Sequence, residues 1–483
     1  MLRSRVAVVS PPPGAHRAAG PAAPRTGRWT TRRGALARLA LPAGAVAGLP
    51  LLAACGALPG SGGAPSQAQS ALGPASLDVI TRDEPIERGL MTQLYARFTE
   101  QYPQIKIEPV SPGASFNDKV AALLSGGTPP AVTGPWGTGG YRFWAVKGVV
   151  AELDSLIARD KYDLTDFYPK FVEATKMGAK RYALPMGVGI QVLAYNKEYF
   201  QRTGQTVPPG WADKSWNWDK YVTTARALTR DPDGAGAQWG SGNPWGDDRR
   251  IAYIFGGAWF DLKAYDTGKA TTFLYEPNAV VEGIQFAADL INKHRVRPSA
   301  ADVTRTAGTV LPFIAGRLGM ESIATSSFAR YSDASAPEWG VAAVPNPPSL
   351  QRRNWITADP WFGFKLTKSS DEQWALLKFL ASKESMRIFP LQSTFVPPRP
   401  SLATEFKEYY VKLGKLAPAD LDRTLEAMPT GWTVTSQSVP VFTDSWLQIL
   451  KPEFDRVIAG EITARTMIER TRPGVEALMQ SQP

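Results

Sequence analysis

Histidine is scarce in this chain. His16 and His294 are the only two among 483 residues, and Cys55 is the single cysteine. A protein zinc site draws on several such ligands, so none is expected. No Gly-x-Ser-x-Gly elbow, phosphate loop or dinucleotide fingerprint occurs, and no cofactor is expected. Asp231-Pro232-Asp233-Gly234 starts like a calcium loop with Gly236 sixth, but Ala235 and Gly242 stand at the fifth and twelfth positions, where ligands should be. Carboxylates and aromatics are what remain. Asp83, Glu84, Asp261, Glu321 and Asp359 could supply the facing carboxylates of a glycoside hydrolase, although no motif supports that chemistry. Six tryptophans, at 211, 216, 218, 239, 245 and 259, fall close together, and the segments Asn243 to Trp245 and Gly256 to Asp261 read as loops with little helical or strand periodicity.

The elements around them follow a rhythm. Leu77 to Thr81 reads as a strand. Leu90, Met91, Leu94, Tyr95 and Phe98 recur at helical spacing up to Pro103. Ile105 to Glu108 alternates like a strand, Phe116 to Leu124 reads as a helix ended by Gly126-Gly127, and Ala131 to Thr133 is a third strand. Such a rhythm builds a parallel α/β sheet, whose ligands sit beyond the carboxyl ends of the strands. Further on, Ala183-Leu184-Pro185 and Ile190 to Tyr195 are two apolar runs joined through Gly187 and Gly189. That pattern suits a chain crossing from one lobe to another, with the glycines as hinge; an ordinary buried strand with a bulge at the glycines is the other reading. Asn217 is placed to cap a helix burying Tyr221, Val222, Ala225 and Leu228, and Ser370-x-x-Gln373 has the form of a capping box.

Several segments, in order, resemble the extracellular solute-binding proteins of ABC importers, family 1, of the maltose-binding type. They are Tyr102-Pro103…Ile105-Lys106-Ile107; Lys119 to Pro130; Leu184-Pro185-Met186…Tyr195-Asn196-Lys197; Phe313 to Met320; Trp339 to Pro345; and Val396-Pro397-Pro398-Arg399-Pro400. The chain departs from the family at Pro130, where an acid is usual, and at Glu321 to Thr325, which lacks a tryptophan common in relatives. The resemblance implies an α/β, two-lobed fold of the periplasmic-binding-protein kind (type II), with hinge crossings and a cleft between lobes. Residues 76–188 and 345–396 would form the first lobe, and 189–344 with 397–483 the second. It implies capture of a mono- or oligosaccharide, delivery to ABC permease subunits, no catalysis, and a monomer. Trp136, Trp245, Trp259, Trp361 and Trp446 are the candidates for stacking on sugar faces. Asp83, Glu84, Asn243, Glu321, Asp359 and Arg399 are the candidates for its hydroxyls. Trp339 and Trp374 are assigned to the core. A secreted glycoside hydrolase and an adhesion lipoprotein without a transporter remain the alternatives.

The formal net charge of +10 comes mostly from residues 1–54, which carry eight arginines and no acid. Beyond them 46 basic residues stand against 44 acidic ones, so a nucleic-acid partner is not expected. Residues 1–54 read as an export signal, with twin arginines at Arg32-Arg33 and an uncharged run from Leu39 to Ala54. Leu52-Ala53-Ala54-Cys55 resembles a bacterial lipobox, which implies cleavage before Cys55 and membrane attachment through lipid on it. Residues 55–75, rich in Gly, Ala, Ser and Pro, read as a tether.

Overall fold

The computed structural model describes residues 72–481 apart from 82–84, 114–115, 135–137, 276, 308–309, 333–334, 348–353, 367, 394, 431–438 and 440. The signal, Cys55, Asp83, Glu84 and Trp136 lie outside the described residues. The folded body starts earlier than the expected end of the tether: Leu72 packs on a hydrophobic core, and the Gly73 N–H bonds Glu372 Oε1 at 2.9 Å.

In chain order the strands are β1 (Ala75–Ile80), β2 (Ile105–Val110), β3 (Val132–Thr133), β4 (Lys176–Met177), β5 (Lys180–Arg181), β6 (Ala183–Asn196) and β7 (Trp239–Ser241). They continue with β8 (Ala258–Phe260), β9 (Phe273–Tyr275), β10 (Leu318–Ala324), β11 (Trp339–Ala342) and β12 (Ile356–Gly363). The main sheet runs β2-β1-β3-β12-β6-β10-β7, with β11 also on β6. β1 is parallel to β2 and β3, as the strand–helix–strand rhythm requires. The helix Pro85–Gln101 between β1 and β2 buries Leu90, Met91, Leu94 and Phe98 along one stripe.

β6 belongs to both lobes, and all fourteen of its residues are buried. Its first part pairs with β12, from Ala183↔Phe362 to Ile190↔Ile356; its second pairs with β10 and β11. Val188 also exchanges backbone hydrogen bonds with Val396, at 2.9 and 2.8 Å, where the chain crosses once more. Two core clusters fill the first lobe, one around Leu94, Phe98, Trp361 and Trp374 and the other around Tyr141, Trp144 and Phe364. The second lobe has one around Tyr221, Trp245, Trp259 and Trp446, and one around Val192, Phe328 and Trp339. The assignment of Trp339 and Trp374 to the core agrees with this.

Three local readings meet the structure differently. Asn217 does cap the helix Trp218–Leu228, accepting the Lys220 N–H at 3.0 Å. The capping box does not form. Ser369 precedes the helix Ser370–Leu380, and Gln373 instead donates through Nε2 to the carbonyls of Ala131 and Phe364, at 2.5 and 2.8 Å. Tying β3 to β12 this way satisfies two buried carbonyls that a cap would have left alone. Third, neither Gly187 nor Gly189 has a positive φ. They are small because neighbours fill the space a side chain would need: a Cβ at Gly187 would lie 2.7 Å from Phe395 Cβ, and one at Gly189 would lie 2.4 Å from Thr357 Oγ1.

Candidate functional site: the sheet face between the lobes

Side chains alternate across a strand, so the sheet shared by the lobes has two faces. One is apolar. Val188, Ile190, Val192 and Ala194 of β6 join Ile356 and Ala358 of β12 and Ile323 of β10 in a core cluster. The other face carries Gly187, Gly189 and Gln191 of β6, Thr357 and Asp359 of β12, and Ser322 of β10. Cross-strand pairs set them side by side: Asp359 opposite Gly187, Thr357 opposite Gly189, Ala324 opposite Gln191. Small and polar residues on a buried sheet face form a poor core and a good ligand floor. The carboxyl ends of β3 and β10 point toward this floor, which is where α/β sheets take ligands. On the first-lobe side, Thr133 ends β3 fully buried, its hydroxyl without a partner among the described residues. The loops that follow β1 and β3 lie outside those residues.

On the second-lobe side one hydrogen-bonded chain stands over the floor. Ser322 Oγ donates to the Val192 carbonyl at 3.1 Å and accepts from Gln191 Nε2 at 2.9 Å. Gln191 Oε1 accepts from Arg250 Nη1. The Arg250 guanidinium lies 5.1 Å from the centre of the Trp355 ring, in a cation–π contact. Burial pulls its pKa down to about 10, opposed by nearby Asp247. It stays protonated. Gly246, at φ +74°, lets the backbone pass close over Gln191.

Arg250 is held by the tryptophans that the sequence offers as stackers. Asn243 accepts the N–H groups of Trp245 and Gly246, both at 3.1 Å, and closes that turn. Trp245 Nε1 donates to Asp248 at 3.3 Å, and Trp259 Nε1 donates to the Arg249 carbonyl at 2.6 Å. Asp247 caps the turn Asp248–Arg250 and pairs with Arg249 at 2.5 Å. Trp245 and Trp259 are fully buried. Trp259 meets Trp446 edge to face at 5.7 Å, and Trp446 stacks on Phe442. These rings pack beneath the arginine turn and position it, and little of their surface is exposed. Trp361 is likewise buried in the first-lobe core, against Phe389 and Gly134.

Other candidates are spread. Arg399 donates to the Ala381 carbonyl at 2.8 Å, pairs with Asp166 at 3.3 Å and sits 3.7 Å over the Phe167 ring, a structural clamp in the first lobe. Glu321 accepts the Tyr331 hydroxyl at 2.6 Å, and burial raises its carboxyl to about 7. Asp261 braces the β8–β9 hairpin through Thr271 and Thr272. Of the described candidates only Asp359 lies on the floor itself. Sequence reasoning missed Gln191, Arg250, Ser322, Trp355 and Thr357. A glutamine inside a fourteen-residue strand that is apolar up to its last residue, Asn196, was the available signal; nothing local marked Arg250.

The lobes also touch directly. Arg142, buried in the helix Thr138–Val146 of the first lobe, donates to the backbone carbonyls of Tyr265 and Asp266 in the second. The Gly178 N–H, in the turn between β4 and β5, reaches the same Asp266 carbonyl at 3.2 Å.

A mixed sheet threaded through two lobes, with a polar floor at their junction, defines a binding protein of the two-lobed periplasmic kind. The chain belongs to the bacterial extracellular solute-binding protein family, whose model matches residues 83–387. A binding protein of Brucella abortus (strain 2308) is 25% identical over 264 residues, 53% of this chain and 61% of that one. The erythritol/L-threitol-binding protein of Mycolicibacterium smegmatis is 26% identical over 227 residues, 42% of this chain and 45% of that one. The chain thus spans about three-fifths or less of the curated relatives named here. An ABC substrate-binding protein of Listeria monocytogenes, solved with cycloalternan, superposes with a TM-score of 0.65 at 20% identity, covering 84% of this chain and 100% of that one.

Proposed function

We propose that this chain is the substrate-binding component of an ABC importer, capturing a carbohydrate or polyol on the sheet face between its lobes and handing it to a permease. The observation that carries the reading is that face itself: two glycines, a threonine, a serine, a glutamine and an aspartate where a single-lobed fold would put core, with an arginine held over them. The ligands named for the mycobacterial and listerial proteins, erythritol or L-threitol and cycloalternan, support a polyhydroxylated solute. No chemical step is assigned, since the family is one of binding proteins. Ligand gripped by both lobes favours the closed arrangement, in which Arg142 meets Tyr265 and Asp266. The protein works outside the cytoplasm as a monomer, held to the membrane by lipid on Cys55.

A thermal-shift screen over sugars and polyols tests the solute class. Ligand at 100 times its Kd adds about 2.7 kcal/mol, so a true solute raises Tm measurably. A panel from tetritols to oligosaccharides with no shift, alongside a shift with amino acids or peptides, would reject the carbohydrate reading. Cys55→Ser tests the anchor: the variant should leave the membrane fraction, and unchanged fractionation would reject lipidation.

A further inference from the structure

We infer that the solute carries an anionic group, a carboxylate or a phosphate, and that Arg250 binds it; this rests on the sheet face being the solute floor.

A guanidinium has five N–H donors. Arg250 uses one, to Gln191 Oε1. The carboxylates closest in sequence are engaged elsewhere. Asp247 takes Arg249 through two nitrogens, at 2.5 and 2.9 Å. Asp248 accepts from Asn243 and Trp245. Among the described residues Arg250 has no ion-pair partner. A half-buried cation whose nearby carboxylate, Asp247, is already tied to Arg249 is only partly compensated, and a bound anion completes the compensation.

The surroundings add donors and few acceptors. Trp355, the ring under Arg250, has a buried indole N–H without a partner among the described residues. Each end of Gln191 already has one partner, Arg250 at its oxygen and Ser322 at its nitrogen. A neutral hydroxyl brings a hydrogen of its own to this end and finds few acceptors free. A carboxylate or phosphate brings acceptors alone and matches the guanidinium fork two atoms to two. The fork is also preorganised: Trp355 supports one side, Gln191 pins one nitrogen, and Trp259 and Asp247 fix the turn. Next along the floor come Gly189 and Thr357, then Gly187 and Asp359. That order suits a hydroxyl-bearing body attached to an acidic end, such as a sugar acid or a sugar or polyol phosphate.

The test is isothermal titration of the purified protein with glucose, glucuronate, glucose 6-phosphate, erythritol and inorganic phosphate. At least one acidic sugar should bind at least tenfold tighter than glucose; whichever of glucuronate and glucose 6-phosphate does so names the anion. Arg250→Gln should abolish that ratio, and Arg250→Lys should keep part of it, which separates lost charge from a lost fold. Glucose or erythritol binding as tightly as both acids, or a ratio unchanged in Arg250→Gln, overturns the inference and leaves the carbohydrate reading standing. Inorganic phosphate binding through Arg250 while no sugar or polyol binds would keep the anion site and reject the carbohydrate. Silence across the whole panel overturns the inference and leaves the carbohydrate reading to the thermal-shift screen.

Discussion

Gly189→Ala asks why a glycine stands at the crossing between lobes. The φ there is not positive, so alanine is sterically allowed by the backbone. With space around it, such a change would stabilise by about 0.4–1 kcal/mol through the unfolded chain. The structure reverses the sign. The new Cβ would lie 2.4 Å from Thr357 Oγ1, and Thr is stiff at χ1. Forcing an atom into a packed site costs about 1–3 kcal/mol. Thr357→Ala supplies the relief, because the Thr357 Cβ is 3.7 Å away, an ordinary contact. The double variant should therefore unfold within about 0.5 kcal/mol of Thr357→Ala alone, a coupling that a double-mutant cycle isolates. Gly187→Ala is the control. Its clash is with Phe395 Cβ at 2.7 Å, an atom that Phe395→Ala retains, so no rescue is expected there. Urea midpoints are the better assay, since for a fold of roughly 400 residues each kcal/mol moves Tm by only about 1 °C. A Gly189→Ala protein as stable as wild type, or one that Thr357→Ala fails to rescue, refutes the close-approach argument.

Trp361→Ala should open a cavity in the first-lobe core and lower stability by about 3–5 kcal/mol; denaturation measures this, and a loss of solute affinity with stability intact would return Trp361 to the cleft. Arg142→Ala removes a charge-assisted link between lobes, of the kind worth about 1.5–3 kcal/mol, and should shift the unliganded protein toward the open form. Small-angle scattering reads this as a larger radius of gyration; an unchanged radius refutes the latch. For Glu321, burial raises the folded carboxyl to about 7 from 4.5. The native state then binds the proton more tightly than the unfolded chain, so stability should fall as pH rises through that window, on the order of 2 kcal/mol. Glu321→Gln should flatten the difference in urea midpoint between pH 5 and pH 8, and an unchanged difference would show that Glu321 is not its source.

Periodicity carried most of the fold. The stripe from Leu90 to Phe98 and the cap at Asn217 depend on neighbours a few residues away, and both formed as read. The stretch from Leu184 to Tyr195 reads on pattern alone as an ordinary buried strand as readily as a crossing, and only the ordered resemblance of the surrounding segments favours the crossing. What the glycines do was not legible, since Thr357 and Phe395 lie more than 160 residues away and fill the space only once the sheet is built. The tryptophans show the same limit. Composition marked a loop-like stretch rich in indoles, but an indole under a loop and one facing a cleft read alike. Trp259 proves to be a support because its Nε1 meets the Arg249 carbonyl, a contact no spacing encodes. Ser370-x-x-Gln373 matched a local rule, and the long-range demand of the Ala131 and Phe364 carbonyls overrode it.

The sharing of β6 bears on how the chain is made. Gly187 pairs with Thr357's neighbour Asp359, and 172 residues separate those partners. At ribosomal rates of about 5–20 residues per second, the first half of β6 waits roughly 10–30 s for β12. During that interval β3 has no β12 beside it, and the first-lobe core lacks Trp361, Trp374 and Phe389. A vectorially synthesised first lobe therefore cannot mature until the chain between β6 and β12, which belongs to the second lobe, has been made. The emerging chain carries open strand edges and uncovered apolar surface, the part of its life in which aggregation competes hardest and a holding chaperone has most to offer.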